Sequence, residues 1–275
     1  LVTGCGPEVG NALALHPDVR MLSFTGSTAA GREVARLALS NIKRIALELG
    51  GKSAAILLPG GDWEFGVKAV LDTVVLNAGQ TCNALTRLLV PAAEQEKANE
   101  IILNTLKQYK KGSNADPESD IGPLSSRRQF DRVKKYIQIG IDEGATLLCG
   151  GLPGQDAEYR IDPTVFVNVK PGMRIEKEEI FGPVLVVVPY ETVDDAVRIA
   201  NDSEYGLAGA VFGPEAEANA VARRMRTGSI YVNYGQWDVK APFGGYKQSG
   251  IGREGAVEGY EEFLEVKTIY DREGE

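Results

Sequence analysis

Apolar positions along the chain alternate between two rhythms. Short aliphatic or β-branched runs at 21–24, 42–49 and 54–58 read as strands, while Val34, Leu37 and Ala38 within 31–40 fall at helical spacing. Met21-Leu22-Ser23-Phe24 runs straight into Thr25-Gly26-Ser27-Thr28, a turn rich in hydroxyls able to cap a helix. Gly50-Gly51 and Pro59-Gly60-Gly61 stop the second and third strands. A longer helix is predicted over 63–77, with Val67, Val70, Leu71 and Val74 on its inward face, then a strand at 88–90 and helices over 92–109 and 125–139. Further strands are predicted at 146–149, 165–169, 184–188, 208–212 and 229–232, with helices over 194–200, 215–225 and 255–263. Residues 264–270 begin with apolar and polar positions in alternation, the pattern of a half-buried strand, and its open edge would need cover. Strands alternating with helices predict α/β layering.

Composition narrows the function classes. The 275 residues carry 38 acidic and 30 basic side chains, a formal charge of −8, which disfavours nucleic acid and acidic membranes as partners. No apolar run reaches the length of a membrane span, and the first residues show no signal-peptide pattern, so a cytoplasmic location is expected. Cys5, Cys82 and Cys149 form neither a close pair nor a metal-ligand spacing, and His16 is the single histidine. Reduced thiols and no metal site are expected, and the chemistry must rest on thiols and carboxylates.

Several local patterns could carry that chemistry, each beside a plainer reading. Gly26-Ser27-Thr28 with Gly31 offers amides at a helix start, suited to a pyrophosphate or to an ordinary strand–helix turn. Glu48, between Leu47 and Leu49 and ahead of two glycines, is a general-base candidate if partly buried, or an outward strand residue if not. Cys82 lies in a loop rich in glycine and amides, where a thiolate finds polar support, whereas Cys149 sits in an apolar run. Cys5 also lies in a glycine-rich turn, so local composition does not choose among the thiols. Glu178-Glu179-Ile180-Phe181 could bind ribose hydroxyls beside a packed ring, or form a solvated loop; the segment from Pro242 through Phe243 to Gly250 is a pocket wall or a surface turn.

Taken in order, these segments resemble the NAD(P)-dependent aldehyde dehydrogenase superfamily. The match comprises Phe24-Thr25-Gly26-Ser27-Thr28 with Gly31, Leu47-Glu48-Leu49-Gly50-Gly51-Lys52, Gly79-Gln80-Thr81-Cys82, Glu178-Glu179-Ile180-Phe181-Gly182-Pro183 and Pro242-Phe243-Gly244-Gly245-Tyr246-Lys247-Gln248-Ser249-Gly250. Thirty-four positions separate Glu48 from Cys82, and 97 separate Cys82 from Glu179, as the resemblance requires.

The resemblance implies an aldehyde dehydrogenase-like α/β fold: a partial Rossmann-type cofactor domain over 1–50, a catalytic domain with a twisted sheet over 51–250, and a helix with an oligomerisation strand over 251–275. It implies Cys82 as nucleophile and Glu48 as base. Gly26, Ser27, Gly31, Leu49, Glu179 and Phe181 would meet NAD or NADP, and Asn233, Gln236, Trp237, Asp238 and Phe243 would line the substrate pocket. The implied reaction converts an aldehyde to a carboxylic acid through a thiohemiacetal and a thioester on Cys82. A homodimer or homotetramer is implied, with a small-molecule aldehyde as substrate. The family's preceding region, with one oxyanion donor and the adenine-side wall, has no counterpart in these residues. A non-catalytic assembly module, a coenzyme A-acylating relative and a glutamyl-phosphate or aspartyl-semialdehyde reductase are the alternative readings; Glu48 favours hydrolysis.

Overall fold

The structure, a computed structural model, describes residues 1–154 and 158–272. The expected divisions 51–250 and 251–275 include residues 155–157 and 273–275, which lie outside the described residues. A turn of helix, Asn11–Leu15 (α1), precedes strand Met21–Thr25 (β1). Ser27 then starts helix Thr28–Ala38 (α2) by accepting the Ala30 amide at 3.3 Å, the cap its sequence promised. Strands Arg44–Glu48 (β2) and Ala54–Leu57 (β3) are followed by helix Trp63–Val75 (α3), capped by Asp62. Next come Arg87–Pro91 (β4), Gln95–Leu106 (α4) and Arg127–Asp142 (α5). Thr146–Cys149 (β5), Thr164–Val167 (β6), Arg174–Lys177 (α6), Val184–Tyr190 (β7) and Val193–Asn201 (α7) continue the alternation. Tyr205–Gly206 (β8), Ala208–Phe212 (β9), Glu215–Ala222 (α8), Ser229–Val232 (β10), Tyr246–Lys247 (β11), Gly250–Ile251 (β12) and Ala256–Glu261 (α9) complete it.

The α/β architecture expected from the patterning is the one observed. Seven strands form the main sheet in the order β10-β9-β3-β4-β7-β6-β5, with every neighbouring pair parallel except β5 against β6. A parallel sheet is covered on both faces, so its strands are apolar without alternation. In β7, Val184, Val186 and Val188 pack with residues of α5, α7 and α8, while Leu185 and Val187 pack with α3 and α4. A second sheet, β1-β2-β12, brings a parallel pair near the start of the chain against a strand near its end. Among the described residues, no helix is long and apolar enough to cross a membrane.

Two expectations need correction. The helix predicted to reach residue 77 stops at Val75, because Asn77, Ala78 and Gly79 all take left-handed conformations (φ 51°, 54° and 72°). The strand predicted over 264–270 is absent. A strand exists only through its ladder, and this stretch finds no partner strand among the described residues. Arg44 donates to the carbonyls of Glu262 and Leu264, but beyond them Val266, Ile269 and Tyr270 project into solvent.

Candidate active site

The C-terminal end of β2 carries Glu48, flanked by β1 through the Thr25 register and by β12 through Gly250. The Gly26 amide donates to the Glu48 carbonyl at 3.0 Å, so the turn that opens α2 is fastened to the strand end bearing this carboxylate. Residue 48 is only 4% exposed, and its Oε1 has no hydrogen-bond partner among the described residues. Burial first, and the Glu254 carboxylate second, push the Glu48 carboxyl up to about 7, against the lowering effect of the facing Cys82 thiol.

Cys82 arrives from the other sheet. The left-handed run at 77–79 folds the chain back sharply after α3, and the Gln80 carboxamide bonds the Asn77 carbonyl at 2.9 Å while accepting the Ser125 amide at 3.0 Å. Non-glycine residues in this region are strained, and such strain persists where the surroundings over-determine it. Here they do: a Cβ on Gly79 would lie 2.3 Å from the Gly182 carbonyl carbon, so the cysteine loop and the Glu179–Phe181 loop touch backbone to backbone. Burial, and next the like charge of Glu48, push the Cys82 thiol up to about 12, opposed by the backbone amides of Asn83 and Cys82.

Glu179 lies alongside the Gly50-Gly51 turn. Its Oε1 accepts the Gly51 amide at 3.1 Å, and a Cβ on Gly50 would come within 2.3 Å of Oε2. Its carboxyl is raised by burial, against the pull of the Gly51 amide, Arg132 and Lys52. Phe181 sits at φ 60°, held by Gln129 Nε2, which donates to its carbonyl at 2.6 Å. Glu48, Cys82, Glu179, Leu49 and the Ser27 turn therefore form one neighbourhood, as the sequence pattern grouped them.

Other expected site residues take different places. A Cβ on Gly31 would lie 2.5 Å from the Leu49 side chain, so the helix packs closely on the turn after β2. A Cβ on Gly26 would likewise lie 2.7 Å from the Phe24 ring. Phe243 lines a shallow cleft with Glu48 and Glu254. Asn233 is turned to a structural duty: its carboxamide donates to the Gly213 carbonyl and accepts the Gly213 amide, both at 3.0 Å. Gln236, Trp237 and Asp238 lie exposed on the loop after β10, with Trp237 64% accessible. Tyr231, which the motifs did not single out, pairs with Asn83 beside the thiol and packs against Tyr234 at 5.6 Å between ring centres. Glu254 was missed too: its backbone pairing with Phe243, at 2.7 and 2.8 Å, and the Thr25 hydroxyl, which donates to its Oε1 at 3.5 Å, bring it near Glu48.

The sequence model described as the aldehyde dehydrogenase family matches residues 1–269. The chain belongs to this family. It is 47% identical over 278 residues to 3-succinoylsemialdehyde-pyridine dehydrogenase of a Pseudomonas species, covering 100% of this chain and 58% of that protein. In structure it is similar to a mutant of aldehyde dehydrogenase C from Pseudomonas syringae in complex with NAD+ and octanal (TM-score 0.95, 46% identity, 98% of this chain and 56% of that one). It is also similar to betaine aldehyde dehydrogenase from Staphylococcus aureus in complex with NAD+ (TM-score 0.91, 39% identity, 96% and 53%). The chain thus spans a little over half the length of the aldehyde dehydrogenases it matches.

The raised thiol makes a prediction unlike the usual picture of a bare reactive cysteine. Without added cofactor, iodoacetamide at pH 7 should modify the exposed Cys5 ahead of Cys82. Glu48→Gln removes the like charge and should speed alkylation of Cys82. Peptide mapping at matched times checks both orders; faster labelling of Cys82 than of Cys5 in the unsubstituted protein contradicts the reading.

Proposed function

We propose that these residues serve an NAD-dependent oxidation of an aldehyde to a carboxylic acid, with Cys82 as nucleophile and Glu48 as base. The observation that carries this is the meeting of a thiol on the α3–β4 loop with a buried carboxylate on β2, next to the turn that caps α2. The bound NAD+ in related structures supports the choice of cofactor. The residues present fit such a cofactor. Ser27 takes the Ala30 amide, and the Thr28 and Ala29 amides, which have no acceptor one turn back in the helix, suit a pyrophosphate. Glu179 keeps acceptor capacity beyond its one bond from Gly51, enough for ribose hydroxyls. Leu49 and Phe181 flank it. When bound, the nicotinamide ring accepts the hydride.

Everything else falls to the chain's own groups. Glu48 takes the thiol proton as Cys82 Sγ adds to the aldehyde carbon, and the Cys82 amide donates to the developing oxyanion. After hydride loss the acyl group remains on Sγ as a thioester. Once the thiol's proton has passed from Glu48 to solvent, the carboxylate draws a proton from water, which attacks the acyl carbon; the C–S bond breaks, the acid leaves and the proton on Glu48 restores the thiol. A carboxylate titrating near 7 is matched to this work at neutral pH. Its position facing the sulfur favours water over coenzyme A as the acyl acceptor. Tyr231 and Tyr234, beside Asn83, support an apolar acyl chain, with Phe243, Gln236, Trp237 and Asp238 at the outer rim and Asn233 supporting the wall through Gly213. Aldehyde-dependent NADH formation by the whole enzyme, with octanal as probe, tests the reading; a folded enzyme inert towards apolar aldehydes contradicts it.

The three free cysteines fit a reducing, cytoplasmic setting. The division into 1–50, 51–250 and 251–275 remains our reading of the organisation. The exposed tail supports a homo-oligomer: Leu264 is 44% and Val266 96% accessible, and apolar residues two positions apart suit a strand that gains its ladder from a second copy. Removing the residues after Phe263 should turn a dimer or tetramer into monomers in sedimentation equilibrium. An unchanged oligomer would show that this segment does not join the subunits.

A further inference from the structure

Beneath the site lies a buried charged cluster that takes no part in the chemistry just described. Arg87, at the start of the apolar strand β4, is 2% exposed. Its Nε donates to the Lys52 carbonyl at 2.9 Å, Nη1 to Glu176 Oε1 and the Ile199 carbonyl at 3.0 Å, and Nη2 to the Ala200 carbonyl at 2.8 Å. Glu176, on α6, is fully buried. A buried ion pair is a poor source of stability, since desolvation offsets most of its attraction. What this pair does supply is geometry, because a guanidinium is a rigid planar fork.

The two segments it joins are the two halves of one contact. Gly51, immediately before Lys52, donates to Glu179; Glu176 lies three residues before Glu179. Little slack exists there, since even a methyl on Gly50 would collide with the Glu179 carboxylate at 2.3 Å. We infer that Arg87 is a positioning residue: by gripping the Lys52 carbonyl and Glu176 with one guanidinium, it fixes the distance between the Gly50-Gly51 turn and the Glu179 carboxylate, and so shapes the ribose subsite.

Lys52 belongs to the same cluster. It is 2% exposed with no partner for Nζ among the described residues. Burial, then the Arg87 charge, pull its amine down to about 7, while Glu176, Glu179 and Glu178 act the other way. Without the Arg87 fork, Glu176 keeps Lys177 and the Gly172 amide on Oε2 but loses its partner on Oε1, and the turn and the acid lose their common anchor.

This inference rests on the reading of Glu179 as the acid that binds ribose, and the test separates the two. In the whole enzyme, Arg87→Lys keeps the charge but loses the planar fork, and Glu176→Gln keeps size and an acceptor oxygen. Both are to be compared with Glu179→Gln and with the double variant Arg87→Lys/Glu179→Gln. Calorimetry gives the Kd for NAD+, steady-state kinetics the KM and kcat, and thermal unfolding the folded state. Arg87→Lys should raise the Kd and KM for NAD+ about tenfold, with a smaller change in kcat. Glu176→Gln should act in the same direction, and it decides the matter if Arg87→Lys fails to fold. In the double variant the Arg87 effect on Kd should largely vanish, because the two act through one carboxylate. A lowered Tm with Kd unchanged, or additive effects in the double variant, overturns the inference. If Glu179→Gln alone leaves Kd unchanged, the ribose reading falls first and the inference with it.

Discussion

With alanine in place of Cys82, aldehyde-dependent NADH formation should fall to the background rate, a loss of about 10⁴-fold or more, as is typical when a covalent nucleophile is removed. Affinity for NAD+ should change little, because the thiol makes no contact that the cofactor's phosphates or ribose require. The side chain is half-buried in a loop held by backbone contacts at Gly79 and by Gln80, so the fold should survive the change. Stopped-flow absorbance at 340 nm together with calorimetric titration separates the two effects. Residual turnover within tenfold of the parent enzyme would move the nucleophile to another residue.

Glu48→Gln should lower steady-state turnover by about 10² to 10⁴-fold, the usual worth of a general base. An initial burst of NADH should remain, since thioester hydrolysis depends on the base more than hydride loss does. The pH profile carries the sign. Burial raises the Glu48 carboxyl to about 7, so the ionised base accumulates as pH rises through that value and the rate should climb with it. That limb should disappear in the glutamine variant. Stability runs the opposite way: the folded state holds this proton more tightly than the unfolded chain, so stability falls as pH rises from the ordinary carboxylate range to about 7. Above that pH the glutamine variant should therefore unfold at a higher temperature than the parent. A burst lost together with turnover, or a pH limb that persists, would assign the base elsewhere.

Much of this was legible in the residues because the relevant physics is local. The apolar runs of β7 and β9 read as strands of an α/β layering, and the hydroxyl turn at Ser27 announced a capped helix. Cys82 and Glu48 stood out because a thiol among amides and a carboxylate between leucines are chemically unusual positions. What escaped was non-local or conformational. Nothing in the identity of Ala78 signals a left-handed backbone; the contact at Gly182 imposes it. Arg87 was signalled by a charge at the head of an apolar strand, yet its partners lie on α6, α7 and the Gly51 turn, beyond the reach of pattern. The resemblance alone pointed to Asn233, and its hydrogen bonds to Gly213 were not readable from the sequence. The tail read as a strand because alternation reports a preference for pairing, and a single chain offers no mate.

The β1-β2-β12 sheet also bears on when during synthesis the protein becomes reactive. Glu48, at the end of β2, leaves the ribosome ahead of one of its two flanking strands, Gly250–Ile251. Ser249 finishes the arrangement: its Oγ donates to the Gly50 carbonyl at 2.7 Å, and its carbonyl accepts the Leu49 amide at 2.9 Å. The cysteine loop, for its part, waits for Gly182 to brace it. A growing chain therefore exposes the thiol and the carboxylate long before it can hold them together. Assembly of the pair waits for the segment around Gly250, and a shorter nascent chain leaves the thiol and the carboxylate unjoined.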